Sequence, residues 1–217
     1  MGASTGTKKM TAKFIQFFDI LSGKEEEFVH FATKNYIPGI HEMGFTRIIG
    51  SWHVAAGEGP YCILESVADS VQDINRLLMA EEFDKLNHLL HFLITNYKTK
   101  ILAPTGHRVE EIPGGVNYRF NHHYNIHAAN SDDYLRFMAQ KYVPVMETLG
   151  IKIIGRWYVA VGPGPQMVVE GSCDSTRQIL QAIGSPEYYR LTETIFGLVD
   201  DFGSKILVPT GLLTQFR

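Results

Sequence analysis

The sequence predicts an α+β protein: two tandem βαββαβ domains whose antiparallel sheets pack face to face as a barrel within one chain. Three observations carry this reading. The segment KILAPTG at residues 100–106 returns as KILVPTG at residues 205–211. Aromatic, Pro and Gly positions ahead of those segments recur at a nearly fixed spacing. Each half also runs through the same succession of strand-like and helix-like patterns.

The spacing is first 106, pairing Phe28 with Tyr134, Phe31 with Phe137, Tyr36 with Tyr142, Pro38 with Pro144 and Gly44 with Gly150. It then becomes 105, pairing Trp52 with Trp157, Gly57 with Gly162, Glu65 with Glu170 and Asp69-Ser70 with Asp174-Ser175. A period of about a hundred residues has the size of a small domain, too long for a solenoid unit. Residues 13–108 are therefore read as a first domain and 118–217 as a second. Residues 109–117, mixing charge, Pro and paired Gly, read as a linker, and the polar stretch 1–12 as a disordered leader.

Within each half the elements follow in order. KFIQFFDI and YRFNHHYNIH are aromatic-rich first strands. Residues 24–42 and 130–148 carry helical spacing, with Glu25 to Glu27 at the positive end of the first helix dipole. Pro38 and Pro144 are expected to kink or end these helices, and Gly44 and Gly150 to stop them. RIIGSWHVA and KIIGRWYVA are second strands; the Gly-Pro turns GEGP and GPGP lead back into third strands YCILES and QMVVEG. Asp69 and Asp174 are candidate N-caps of a long second helix. In the first half that helix carries Phe83, Leu86, Leu90, Leu93, Ile94 and Tyr97 at spacings of three and four. TKILAP and SKILVP supply the fourth strand.

This order is that of the ferredoxin-like fold, a four-stranded antiparallel sheet with both helices on one face. The other face would leave Val, Ile and aromatic side chains in water, at roughly 25 cal/mol for each Å² exposed. Two copies in one chain cover each other. A formal charge of −3 and a pI near 6.3 give no basic field for nucleic acid. No apolar run approaches the roughly 18 residues of a membrane span, so the expectation is a cytoplasmic protein without membrane or nucleic-acid partners. Cys62 and Cys173 stand at different places in the repeat and suggest neither a bridge nor a metal pair.

Each half resembles a NIPSNAP domain of the dimeric α+β barrel superfamily. The resemblance runs through Gly150 to Trp157 (and Gly44 to Trp52, with one extra residue), the Gly-rich hairpin, the Asp-Ser helix start and the ILxPT ending. It implies a barrel fold and carries over no catalytic motif, while the wider superfamily includes cofactor-free monooxygenases, cyclases, isomerases and haem-dependent enzymes. A homodimer of the two-domain chain is a further expectation.

The two first strands differ in a way that points to a site. The first half has Phe14, Ile15, Gln16, Phe17, Phe18 and Asp19 where the second has Phe120, Asn121, His122, His123, Tyr124 and Asn125. Alternation puts His122 and Tyr124 on one face, and Asn121, His123, Asn125 and His127 on the other. Polar groups in a half-buried strand need partners or water, which predicts a lined cavity. His122, His123 and Tyr124 are therefore the candidate catalytic residues. Asn121, Asn125, His127, His53, Trp52, Trp157, Tyr158 and Asp19 are candidate substrate contacts. Glu65 and Glu170, if buried, need a cation such as Arg47 or Lys152.

No metal site is predicted: His123 and His127 lie roughly 13 Å apart along an extended strand, too far to share an ion. No cofactor is predicted, haem through an axial histidine being the alternative to test. The expected function is an enzyme that transfers protons through a pocket histidine on an aromatic or polyketide-like substrate held between helices and sheet of the second half. A non-catalytic ligand-binding or assembly protein is the alternative.

Overall fold

The computed structural model describes residues 12–105 and 117–216. The expected leader lies outside the described residues except for Ala12, and the expected linker except for Asn117.

Eight antiparallel strands form one closed barrel. In chain order they are β1 (Ala12–Ile20), β2 (Arg47–Ala56), β3 (Cys62–Ala68), β4 (Ile94–Pro104), β5 (Tyr118–Ile126), β6 (Lys152–Val161), β7 (Met167–Cys173) and β8 (Val199–Pro209). The spatial order β1-β3-β2-β8-β5-β7-β6-β4 contains two four-strand runs, β4-β1-β3-β2 and β8-β5-β7-β6, each with the strand order of a βαββαβ unit. The runs are joined edge to edge: Val54 pairs with Leu207 on one seam and Leu102 with Val159 on the other. Closure therefore settles two problems at once, the bare sheet face and the four strand edges that would otherwise offer unpaired backbone groups.

The helices lie outside. The first half carries α1 (Glu25–Phe31), α2 (Ile37–Met43), α3 (Val71–Leu78) and α4 (Glu81–Leu90); the second carries α5 (Ser131–Phe137), α6 (Val143–Thr148), α7 (Thr176–Ile183) and α8 (Pro186–Phe196). Three cores result. Phe14, Phe18, Phe28, Tyr36, Ile74 and Leu77 fill the space between sheet and helices in the first half. Phe120, Tyr124, Tyr134, Tyr142, Ile179 and Leu191 do so in the second. Ile15, Trp52, Val54, Ile63, Leu102, Trp157, Val159 and Leu207 pack inside the barrel.

Local chemistry revises three expectations. Of the two alternatives at Pro38 and Pro144, a kink or an end, the helices do not end: a π-helical turn, Ala32–Tyr36 or Met138–Tyr142, precedes each proline and the helix runs on. The wide turn accommodates the proline's missing N–H donor. Ser70 and Ser175, rather than the aspartates before them, cap α3 and α7, accepting from Asp73 N at 3.1 Å and Gln178 N at 3.3 Å. The long second helix is two helices, and Ile94 and Tyr97 already belong to β4. Asn96 and Asp201 adopt left-handed backbone, φ 53° and 52°, at equivalent points of β4 and β8; short polar side chains tolerate that conformation best.

Candidate functional site

Strand alternation sorts the side chains of β1 and β5 into two sets. Outward residues Phe14, Gln16 and Phe18, and their counterparts Phe120, His122 and Tyr124, meet the helices. Ile15 and Phe17, and opposite them Asn121 and His123, line a cavity of about 290 Å³ inside the barrel. Its apolar wall adds Ile63, Val168 and Leu207, and the Gly-Pro hairpins contribute Glu58 to Pro60 and Pro163 to Pro165. Lys98 and Lys100 come from β4 and Lys205 from β8, while Glu65 and Glu170 complete the wall. That volume is at the lower end for a drug-sized ligand and fits one or two rings.

The structure separates the two candidate histidines. His122 is buried: its Nδ1 meets the Tyr142 hydroxyl, and its Nε2 lies 3.0 Å from the Tyr188 hydroxyl. Rings of Phe120, Tyr142, Tyr188 and Phe202 surround it. Burial, with a smaller contribution from His123, lowers its pKa to about 3. His122 is thus a neutral core histidine with both nitrogens engaged. Tyr124 bonds Tyr134 at 2.8 Å and stacks on Phe202 in the same layer. The space between helices and sheet in the second half, where the sequence placed the substrate, is filled by these side chains.

His123 projects into the barrel. No hydrogen bond to its ring exists among the described residues, and burial, then Lys205 and Lys100, lowers its pKa to about 4. Gly203 lies opposite it in β8; a Cβ there would collide with the His123 ring. Asn121 sits beside it, its Oδ1 buried without a hydrogen-bond partner.

Beneath the cavity runs a buried charge group. Lys13 Nζ contacts Glu65 Oε1 and donates to Glu170 Oε2 at 2.7 Å, and Trp157 Nε1 donates to the same oxygen at 2.8 Å. Lys13 lies 4.6 Å from the Trp157 ring centroid, and Arg119, its counterpart, 5.2 Å from that of Trp52. Burial pushes both carboxyls up. For Glu65 it prevails; for Glu170 the charges of Lys13 and Arg119 and the two hydrogen bonds outweigh it and hold the carboxyl below its usual range. The partner of the glutamates is therefore Lys13, from the first strand, and the expected pairing with Arg47 or Lys152 gives way to it. Trp52 and Trp157 pack in the barrel core.

The remaining candidates stand away from the cavity wall. His53 is exposed on the outer face of β2, its Nδ1 3.6 Å from Cys62 Sγ, and Tyr158, its counterpart on β6, is exposed as well. His127 pairs with Asp200 at 2.9 Å beyond the end of β5. Asp19 accepts from Tyr61 N at 2.6 Å and from Asn96 Nδ2 at 2.7 Å. Asn125 accepts from Gln166 N at 2.9 Å and donates to Asp201 at 2.8 Å. Both act as clasps that tie a hairpin to the first strand.

Sequence reasoning missed Lys98, Lys100 and Lys205. The repeated KIL segments contained two of them, and alternation from Leu102 and Leu207 places both on the inner face. A haem does not fit these two histidines: His122 has no free nitrogen, and His123 shares with three lysines a cavity of about 290 Å³, too small for a porphyrin. Among the described residues no three His, Cys, Asp or Glu side chains gather as a metal site. No described helix is long and apolar enough to cross a membrane.

No protein-family model matches the sequence, and no curated protein matches it. Solved structures do. A protein of Lactobacillus acidophilus NCFM that carries the name monooxygenase provisionally is similar at 16% identity and a TM-score of 0.62, over 92% of this chain and 94% of that one. An anthrone oxidase-like protein is similar at 13% identity and a TM-score of 0.60, over 93% and 92%. A chlorite dismutase variant of Candidatus Nitrospira defluvii is similar at 10% identity and a TM-score of 0.67, over 97% and 96%. What the chain shares with all three is its fold, an α+β barrel.

Proposed function

We propose that the protein is a small-molecule enzyme whose substrate, an aromatic or polyketide-like compound, occupies the barrel cavity and gives up a proton to His123. The observation that carries this reading is the contrast between the two histidines: His122 has both nitrogens engaged, whereas His123 faces the cavity with neither. At neutral pH the His123 imidazole is uncharged, and although a pKa of about 4 makes it a weak base in the free protein, a substrate anion forming beside it raises that value and helps it hold the proton. A substrate ring lies against Phe17 and Ile63, and a substrate hydroxyl donates to Asn121 Oδ1, which otherwise has no partner. Removing a proton from a phenol or an activated methylene gives an electron-rich anion. That anion cyclises, isomerises or reacts with dioxygen; turning a methylene into a carbonyl consumes O₂ and releases water without an external reductant. The likeness to an anthrone oxidase-like protein supports the oxidative variant.

His123→Phe tests this, because phenylalanine is what the first half holds at the equivalent position, Phe17. With an anthrone as substrate and an oxygen electrode as readout, the variant is expected to fold and to lose turnover by about 100-fold or more. Oxygen uptake unchanged by His123→Phe rejects the assignment, and a protein that binds the anthrone but never consumes oxygen is the non-catalytic binder.

Each half is read here as a NIPSNAP-like unit and the chain as its tandem duplication. The shared π-helical turns, the equivalent left-handed positions at Asn96 and Asp201 and the matched Trp52 and Trp157 support that origin.

A further inference from the structure

We propose that the compound held in the barrel is an aromatic carboxylate, its ring against Phe17 and the aliphatic wall and its anionic group between Lys100 and Lys205. The proposal rests on the cavity being the ligand site, but not on His123 acting as a base.

Lys100 and Lys205 are the same position in the two halves, and each lies under the hairpin of the other half. A Cβ built on Gly164 would stand 3.5 Å from Lys100 Nζ, and one on Gly59 3.2 Å from Lys205 Nζ. Lys205 donates to the Glu58 carbonyl oxygen. The Lys100 ammonium lies 5.8 Å from the centre of the Phe17 ring and forms no ion pair among the described residues. Lys98 adds a third ammonium from the same strand as Lys100.

Two of the three acids at the cavity are committed to Lys13, and the third, Glu58, offsets part of the charge of Lys205. Glu65 and Glu170 bind Lys13 and lie beside Arg119, while Glu58 and Lys98 both stand at the exposed mouth. Among the described residues three lysines line the cavity, and of its three acids Glu65 and Glu170 are already held by Lys13, which leaves Glu58 alone facing the lysines. Burial, followed by the charge of Lys205, lowers the Lys100 pKa, and burial also lowers that of Lys205. Holding like charges together in a half-buried space costs free energy that a bound anion removes.

The shape of the cavity selects the kind of anion. Ile15, Phe17, Ile63, Val168 and Leu207 make one wall apolar, which suits a ring and gives a bare phosphate nothing. The hairpins also lack the helix N-terminus that commonly cradles phosphate.

Isothermal titration of 2-naphthoate, 2-naphthamide and inorganic phosphate against the full chain at low salt tests the proposal. Naphthoate is expected to bind about tenfold or more tightly than naphthamide, as a charge-assisted contact implies. Lys100→Gln and Lys205→Gln should each lose about tenfold for naphthoate and little for naphthamide, while Lys100→Arg and Lys205→Arg retain the preference. The proposal is overturned if acid and amide bind alike, if phosphate outcompetes naphthoate, if the glutamine variants bind as the parent does, or if the parent binds no naphthoate at millimolar concentration. The two readings fail separately. Lysine-dependent naphthoate binding with turnover indifferent to His123→Phe defeats only the base; turnover that needs His123 without any preference for the acid defeats only the carboxylate.

Discussion

The two halves differ in one way on the outer faces of their first strands and in another on the inner faces. On the outer face, Gln16 donates to the Tyr36 and Tyr97 hydroxyls at 2.6 and 2.8 Å. Its counterpart His122 meets Tyr142 and Tyr188. Position 97 is Tyr where its counterpart 202 is Phe, and position 83 is Phe where 188 is Tyr. The polar centre has kept its two hydroxyl partners while one moved from strand to helix. At the strand ends, Asp19 clasps Asn96 and Asn125 clasps Asp201, the acid and amide having exchanged places. On the inner face there is no such compensation: Asn121 and His123 stand where the first half has Ile15 and Phe17, and the Asn121 Oδ1 has no hydrogen-bond partner among the described residues. A difference whose hydrogen bonds are all satisfied needs no functional reason, whereas one that leaves a polar atom unanswered beside a cavity calls for a ligand.

The comparison breaks most visibly at Lys13 and Arg119. Lys13 binds both buried glutamates, while Arg119 stands over Trp52 with one guanidinium nitrogen unpaired. Lys13→Met leaves two buried carboxylates without their shared cation and should cost about 3–5 kcal/mol in urea denaturation. Arg119→Met should cost clearly less; equal losses would mean that both cations serve the glutamates alike.

A second prediction separates His122 from Gln16 by pH. The folded pKa of His122, about 3, lies below the unfolded value near 6.5, so between the two the unfolded chain holds the extra proton. The neutral ring's contribution is complete above the unfolded pKa and falls as pH drops toward the folded one, by about 1.4 kcal/mol per pH unit well inside that window. His122→Gln installs the first half's solution and should remove about half of the histidine-linked loss of stability between pH 6.5 and 4.5, His123 with its pKa of about 4 supplying the other half. A slope identical to the parent's would show that other groups set the acid sensitivity.

Much of this fold was legible because the repeat multiplies weak signals: Trp52 alone suggests little, but Trp52 with Trp157 at matched strand positions suggests a shared core. That the two sheets form a barrel was legible, but that they join through the β2–β8 and β4–β6 edges was not, because edge pairing depends on sheet curvature and not on local pattern. The site was half legible. Alternation put His122 and His123 on opposite faces, yet the face turned toward the helices cannot be told from the one turned inward when both are buried. Asp19 and Asn125 looked like ligands because their backbone partners, Tyr61 and Gln166, lie about forty residues away in sequence. The lysines escaped notice because a charged residue on a strand reads as solvent-facing until the barrel closes over it.

The smallest predicted effect tests the exchange at the clasps. Asn125→Asp places a second carboxylate beside Asp201 and removes the amide that donates to it, which should destabilise by about 1 kcal/mol at neutral pH on an exposed site. Adding Asp201→Asn rebuilds the first half's arrangement, with an acid on the first strand and an amide at the left-handed position. That position suits asparagine at least as well as aspartate. The double variant should therefore recover the loss, giving a coupling of about 1 kcal/mol in a double-mutant cycle measured by urea melts. Strict additivity would mean that the clasp depends on its surroundings in each half, and that the mirrored exchange of acid and amide is not an energetic equivalence.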